Sequence, residues 1–352
     1  MNFHGGQFHR DNVIDFSVNI PELEYPEGFE EVIKEALLQM RKYPDIDGLA
    51  SKNAITRYND TKLDQIVLGN GATELIYLMS RAVDIKIATI IQPTFTEYER
   101  ALVQNNVDVR HYHLKPENDF KLDKDELVQH LIGTNSDLLV LCNPNNPTGT
   151  FIDMDTIEYI LLGVQNKKMK LMIDESFMDF VSDYRFDQHR DRLNALMKSH
   201  SILVIRSMTK NFMIPGIRTG YAIGSRKIIA AMNKLKEPWS INAFALACIP
   251  FLLRQNNYLD DLRTWCHGEL RFMLSKLNAI DQLTVFDSTA NFILFRLDIG
   301  SPKEFMSSII DGGAYIRPCE DFEGLDQRYF RIALRKREDN IKLIKLIMEA
   351  LK

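Results

Sequence analysis

Ser207-Met208-Thr209-Lys210-Asn211-Phe212-Met213-Ile214-Pro215-Gly216-Ile217-Arg218 is the stretch whose reading decides the fold. It follows a short apolar run at 202–205 that reads as a buried strand. It leads into a second run, Gly220-Tyr221-Ala222-Ile223-Gly224. One loop thus holds a hydroxyl, a lysine and an arginine. The lysine could act as an imine-forming amine if burial and nearby charge lower its pKa. Ser207 and Arg218 could grip an anion beside it, the arginine through two hydrogen bonds at once. Taken alone, the loop reads equally as a surface lysine beside a turn, so the surrounding chain has to decide.

Outward from this loop, strand-like runs alternate with helix-like segments. The candidate strands are 85–91, 137–142, 170–173, 202–205 and 219–223. They are short and apolar on both faces, as a covered parallel sheet requires. Polar residues cluster just past their C-terminal ends: Thr94, Asn143 to Thr148, Asp174, and Ser207 to Lys210. Open α/β sheets bind ligands at that edge. Residues 63–68 lead into Gly69-Asn70-Gly71-Ala72-Thr73-Glu74, and a helix should follow with Leu75, Ile76, Met79, Ala82 and Val83 on one face. A glycine turn opening a helix offers free N–H groups to an anion. It is not a dinucleotide fingerprint, because Glu74 stands where the third glycine belongs.

The pattern changes near residue 250. A helical stretch at about 250–279 precedes strand-like runs at 291–297 and 329–334 and an amphipathic helix at 338–351. These predict a smaller α+β domain. Residues 3–25 read as an extended arm that helps complete it, and 29–40 as an amphipathic helix. The expected division is an arm with part of the small domain at 1–40, a large domain at 41–250 and a small domain at 251–352.

Composition narrows the function. The 352 residues are 45% apolar and carry a net charge of −5. That balance gives no footprint for nucleic acid, and no apolar run reaches membrane-spanning length. The N-terminus lacks a signal-peptide layout, and Cys142, Cys248, Cys266 and Cys319 follow no ligand spacing. Buried thiols in the cytoplasm are the expectation. His111 and His113 share a face of one candidate strand, but no acidic or cysteine partner is near in sequence, so no metal is expected.

Four further features fall in order around Lys210. Asn143-Pro144-Asn145-Asn146-Pro147-Thr148-Gly149 follows one strand, and Asp174 ends the next, ahead of Glu175. A buried Asp174 needs a cationic partner. Tyr98, after Pro93-Thr94-Phe95, offers a flat face. Arg317 and Arg331 can clamp carboxylate or phosphate. In this combination the chain resembles pyridoxal-phosphate enzymes of the aspartate-aminotransferase fold type, in the class I/II aminotransferase superfamily. The motifs behind the resemblance are Gly-Ala-Thr-Glu, Asn-Pro-Asn-Asn-Pro-Thr-Gly, Asp-Glu, Ser-x-Thr-Lys and an arginine eight residues after the lysine.

The resemblance implies a large doubly wound mixed, mostly parallel sheet domain with a smaller α+β domain, and pyridoxal 5'-phosphate as cofactor. It implies that Lys210 forms the imine and then moves protons, while Asp174 keeps the pyridine nitrogen protonated. Asn146 would bond the ring oxygen and Tyr98 would stack on the ring. Ala72, Thr73, Ser207 and Arg218 would hold the phosphate. Tyr43 would reach the cofactor phosphate of a neighbouring subunit, which implies a homodimer with shared sites. Arg331 would bind the acidic group of the substrate, Arg317 a second anion, and Asn19 and His4 would contribute from the arm. Many relatives carry tyrosine where this chain has Phe177, so a donor to the ring oxygen is missing.

Two groups within the fold type fit. Threonine-phosphate decarboxylases are matched by His4-Gly5-Gly6, by residues 15–20, by Phe177 with Asp179-Phe180, by Ile214-Pro215-Gly216, by residues 238–242 and by residues 322–325. Histidinol-phosphate aminotransferases more often show Asn-Glu-Asn-Pro early and Leu-Ala-Gly after the lysine. This chain shortens the usual Asn-x-Asn-Pro to Asn19-Ile20-Pro21. Both groups handle a small phosphorylated amine. A cofactor-binding regulator of the same fold would need a DNA-binding module, for which no basic extension is present.

Overall fold

Six of the short apolar runs and the more polar segment 108–113 pair into one sheet. The computed structural model describes residues 5–6, 12–165 and 168–352. Along the chain the strands are β1 (Ile14–Asp15), β2 (Ile66–Gly69), β3 (Ile87–Gln92), β4 (Asp108–His113), β5 (Leu138–Cys142), β6 (Lys170–Asp174) and β7 (Ser201–Ser207). They continue with β8 (Gly220–Gly224), β9 (Leu283–Val285), β10 (Phe292–Leu297), β11 (Ala314–Tyr315), β12 (Arg317–Pro318) and β13 (Tyr329–Ala333). The large sheet has the order β2-β8-β7-β6-β5-β3-β4.

Helices cover both faces of this sheet, which is why its strands carry apolar side chains in both directions. Along β5, Leu139 and Leu141 enter one core, while Leu138, Val140 and Cys142 enter the other. The helix Ala72–Ala82 lies on the second face, against the helix Arg226–Leu235. The β3, β4, β5, β6 and β7 strands run parallel. The expected mixed character of the sheet comes from β8. The run at 219–223 becomes β8, which is antiparallel to both β7 and β2. Only the lysine loop joins β7 to β8, and no crossover helix is available to turn the strand parallel.

The second sheet, β12-β13-β10-β9, is antiparallel throughout. The arm joins it from the other end of the chain. Ile14 and Asp15 pair with Ala314 and Tyr315, and Ala333 N–H donates to Phe16 O at 2.8 Å. The helix Phe29–Gln39 rests on the helix Ala243–Leu252. The helical stretch read at 250–279 is two helices, Ala243–Leu252 and Asn256–Leu277. The first contains Pro250, which has no N–H to give its preceding turn and precedes the break by two residues. Among the described residues no helix is long and apolar enough to cross a membrane.

Candidate active site

The C-terminal ends of β5, β6 and β7 place the loops quoted above along one edge of the sheet. Asp174 is the last residue of β6 and is 4% exposed. Its Oδ1 accepts the Ser176 N–H at 2.9 Å and the Ser176 hydroxyl, and its Oδ2 accepts the Tyr98 hydroxyl at 2.8 Å. Burial, with the Asp174 charge behind it, pushes the Tyr98 phenol well above its ordinary pKa, so it remains a donor. The carboxylate is therefore fixed on three sides before any ligand arrives.

Lys210 follows β7 in the turn of the decisive loop, and its amine lies 5.0 Å from the centre of the Phe177 ring. Burial lowers its pKa below the ordinary lysine value. Arg218 and Arg331 push the same way, and Asp174 opposes them. A lowered pKa raises the fraction of neutral, nucleophilic amine.

The turn after β2 supplies an anion seat. Gly71 has φ 80°, and a Cβ there would lie 2.6 Å from Arg218 Nη2. Glycine is what lets the guanidinium approach the first turn of the helix Ala72–Ala82. A Cβ on Gly220 would lie 3.2 Å from Ala72 N, so the β8 backbone closes on the same turn. Ser207 Oγ meets Thr209 Oγ1 at 2.7 Å at the end of β7. The N–H groups of Ala72 and Thr73, the Arg218 guanidinium and the helix dipole together suit a phosphate.

The loop after β5 is latched by Asn145. Its Nδ2 donates to Pro93 O at 2.8 Å and Thr148 Oγ1 at 2.9 Å, and its Oδ1 accepts from Thr94 Oγ1 at 2.7 Å. Asn146, next in line, accepts from Arg331 Nη1. Arg331 lies on β13 opposite Arg317 of β12. Its Nη2 donates to Ser17 O at 2.7 Å, and its buried Nε has no hydrogen-bond partner among the described residues. Burial lowers the Arg331 pKa to about 10, helped by Arg317, so it stays charged at neutral pH. Arg317 Nη2 donates to Asp321 Oδ2 at 2.7 Å. Asn19 is buried with an unpartnered Oδ1, and its carbonyl accepts from Asn291 Nδ2 at 3.1 Å.

The expectations for Tyr98, Tyr43 and His4 fare differently. Tyr98 is 1% exposed, with its hydroxyl committed to Asp174, so it has no face to offer a ligand. Phe95, edge-on to Tyr98 at 5.6 Å, is the half-buried aromatic at that place. Tyr43, expected to serve a neighbouring subunit, is 85% exposed, with its ring tilted against Trp239 at 5.3 Å. His4 lies outside the described residues.

Sequence reading also missed a buried network behind the site. Glu175 accepts from His189 Nε2 at 2.6 Å and pairs with Arg206, which donates to the Tyr184 hydroxyl at 2.9 Å. Burial pushes the Glu175 carboxyl up, but Arg206 and His189 outweigh it and hold the pKa below the ordinary value. The signal was the second residue of the Asp-Glu pair, whose partners are distant in sequence.

A lysine with a lowered pKa, a fixed carboxylate and a helix-terminal anion seat thus stand at one sheet edge, and a buried arginine of the second sheet reaches it through Asn146. The family model for aminotransferase class I and II matches residues 11–347, and the chain belongs to that family of pyridoxal-phosphate-dependent enzymes. It is 38% identical over 346 residues to a protein provisionally named threonine-phosphate decarboxylase from Caldanaerobacter subterraneus subsp. tengcongensis, covering 96% of this chain and 92% of the relative. It is 30% identical over 345 residues to the threonine-phosphate decarboxylase of Salmonella typhimurium, covering 97% and 92%. Among solved structures, the histidinol-phosphate aminotransferase from Clostridium acetobutylicum superposes with a TM-score of 0.87 at 31% identity, covering 96% and 98%.

Proposed function

We propose that this chain is a pyridoxal-phosphate-dependent decarboxylase of a small phosphorylated α-amino acid, with threonine O-3-phosphate as the substrate. The observation that carries the reading is the buried arginine pair. Threonine phosphate presents a carboxylate and a phosphate, and each anion needs a desolvated cation opposite it. Arg331 and Arg317 stand side by side in register at the edge of the site. The two relatives of that name support the same substrate class.

The residues fit the cofactor. The unpartnered Arg331 Nε and Asn19 Oδ1, the Gly71 cradle and the Lys210 amine are all sites that a ligand would complete. Ala72 and Thr73 N–H, Ser207 and Arg218 would hold its phosphate. Asp174, kept in place by Tyr98 and Ser176, would pair with the ring nitrogen. Phe95 would cover the ring in place of Tyr98. Asn146 gives its Oδ1 to Arg331, which leaves Nδ2 to donate to the ring oxygen. Tyr43 would serve the site of a second copy, so the working unit is a homodimer. Once bound, pyridoxal phosphate supplies a sink for the electron pair left at the amine-bearing carbon.

The chain then chooses which bond breaks. Arg331 would hold the carboxylate and Arg317 the phosphate, and the orientation they set would favour release of carbon dioxide. Lys210 Nζ would return a proton to the same carbon. A second reading, transamination of histidinol phosphate, is favoured by the 0.87 superposition. There Lys210 Nζ would take a proton from that carbon, and the arginines would also suit glutamate, which carries two carboxylates.

A paired assay on one preparation separates them. Threonine O-3-phosphate should release carbon dioxide, and histidinol phosphate with 2-oxoglutarate should yield no glutamate. Glutamate without carbon dioxide would overturn the decarboxylase reading and leave the family standing.

A further inference from the structure

Among the described residues the β4 strand is the outer edge of the large sheet, paired only with β3. Alternation puts His111 and His113 on one face of it. Their rings stand edge to face at 5.8 Å. A loop of the second, smaller unit closes over this face. A Cβ on Gly324, which has φ 86°, would lie 3.5 Å from His113 Cδ2, so the loop rests on the histidine. The neighbouring residue, Glu323, brings Oε1 to 3.6 Å from His113 Nε2. One ligand atom from each of His111, His113 and Glu323 lies within 4.8 Å of the other two. On the far side Glu99 Oε1 is 3.2 Å from His111 Nε2, and that buried nitrogen makes no hydrogen bond.

These separations lie within side-chain adjustment of a coordination shell. Zinc–nitrogen and zinc–oxygen bonds of about 2.0–2.2 Å at the tetrahedral angle leave ligand atoms roughly 3.3 Å apart. Two imidazoles with one or two carboxylates form a donor set for zinc and its first-row neighbours, not for calcium or magnesium, which prefer all-oxygen shells. The sequence expectation of no metal rested on local spacing. Folding brings Glu99 and Glu323 to the pair from elsewhere in the chain.

We propose that His111, His113 and Glu323, with water completing the shell, bind a divalent ion of the zinc type that clips the β4 edge to the loop carrying Arg317's support. Within that loop Asp321 accepts from Arg317, and Phe322 lies under the Arg317 guanidinium at 5.4 Å. An ion on Glu323 therefore restrains the segment that positions one arginine of the substrate pair. The site itself stands apart from the choice of substrate.

The test uses chelator-treated holoenzyme titrated with Co²⁺ as a spectroscopic probe and with Zn²⁺ in competition. The expected result is one Co²⁺ per chain, with the intense absorption of a four-coordinate ion between about 500 and 700 nm, displaced by Zn²⁺. His113→Ala and Glu323→Gln should each weaken Zn²⁺ binding at least tenfold, while a surface control, His200→Ala, should leave it unchanged. All these side chains are at least partly exposed, so the variants should fold. Absence of a stoichiometric site, or binding that survives both substitutions, would overturn the proposal. Loss with His113→Ala but not with Glu323→Gln would overturn the clip.

Discussion

The two ends of the site are built differently. The lysine end hangs on one rigid sheet. Asp174, Ser207 and Lys210 lie on or just beyond neighbouring strands β6 and β7, with Asp174 held by Ser176 and Tyr98 and Ser207 by Thr209. The arginine end is assembled from distant chain. Arg331 on β13 binds the backbone of Ser17 in the arm and the side chain of Asn146 in the large sheet's loop. Preorganised chemistry is best placed on a rigid sheet edge. Substrate orientation, which selects the bond to break, is left to parts joined by a few long-range hydrogen bonds.

The strongest way to break this comparison is at the lysine. Lys210→Ala should lower kcat by about 10³-fold or more, since loss of proton transfer alone costs 10²–10⁴-fold. Retention of a tenth of the activity would remove it from the chemistry. Next is the buried support. Glu175→Gln leaves Arg206 without its counter-charge and should destabilise the fold by about 3–5 kcal/mol in urea unfolding. The pH dependence sharpens the point. The folded Glu175 pKa is depressed, so its stabilisation is fully present above the ordinary value of 4.5. It is lost as pH falls through the lower folded value. Glu175→Gln should lack that acid-side loss, and identical stability–pH curves would contradict the pairing.

At the other end, Arg331→Ala should reduce kcat/KM for the acidic substrate by roughly 10–150-fold, the equivalent of one charged hydrogen bond of about 1.5–3 kcal/mol. The loss should fall mainly in KM. A smaller effect is expected from Tyr98→Phe, which removes one donor from Asp174. About a tenfold fall in kcat would fit a positioning residue. If KM rose instead with kcat unchanged, Tyr98 would belong to the ligand-binding face after all.

The same contrast explains what the sequence disclosed. The lysine end was legible because its residues follow apolar runs directly: Asp174 closes β6, and Ser207 closes β7 three residues before Lys210. The direction of β8 was less so, because apolar alternation does not state polarity and only the length of the connection does. Phe95 and Tyr98 are separated by less than one helical turn, and sequence could not tell which ring would be enclosed. Partnerships such as Arg331 with Ser17, Glu175 with His189 and His113 with Glu323 follow from tertiary folding alone.

The most direct test of the account is where the cofactor attaches. The holoenzyme, reduced with borohydride and digested, should yield a single pyridoxyl-labelled peptide whose modified residue is Lys210. Label on any other lysine, or none on a protein that retains its activity, would contradict the account.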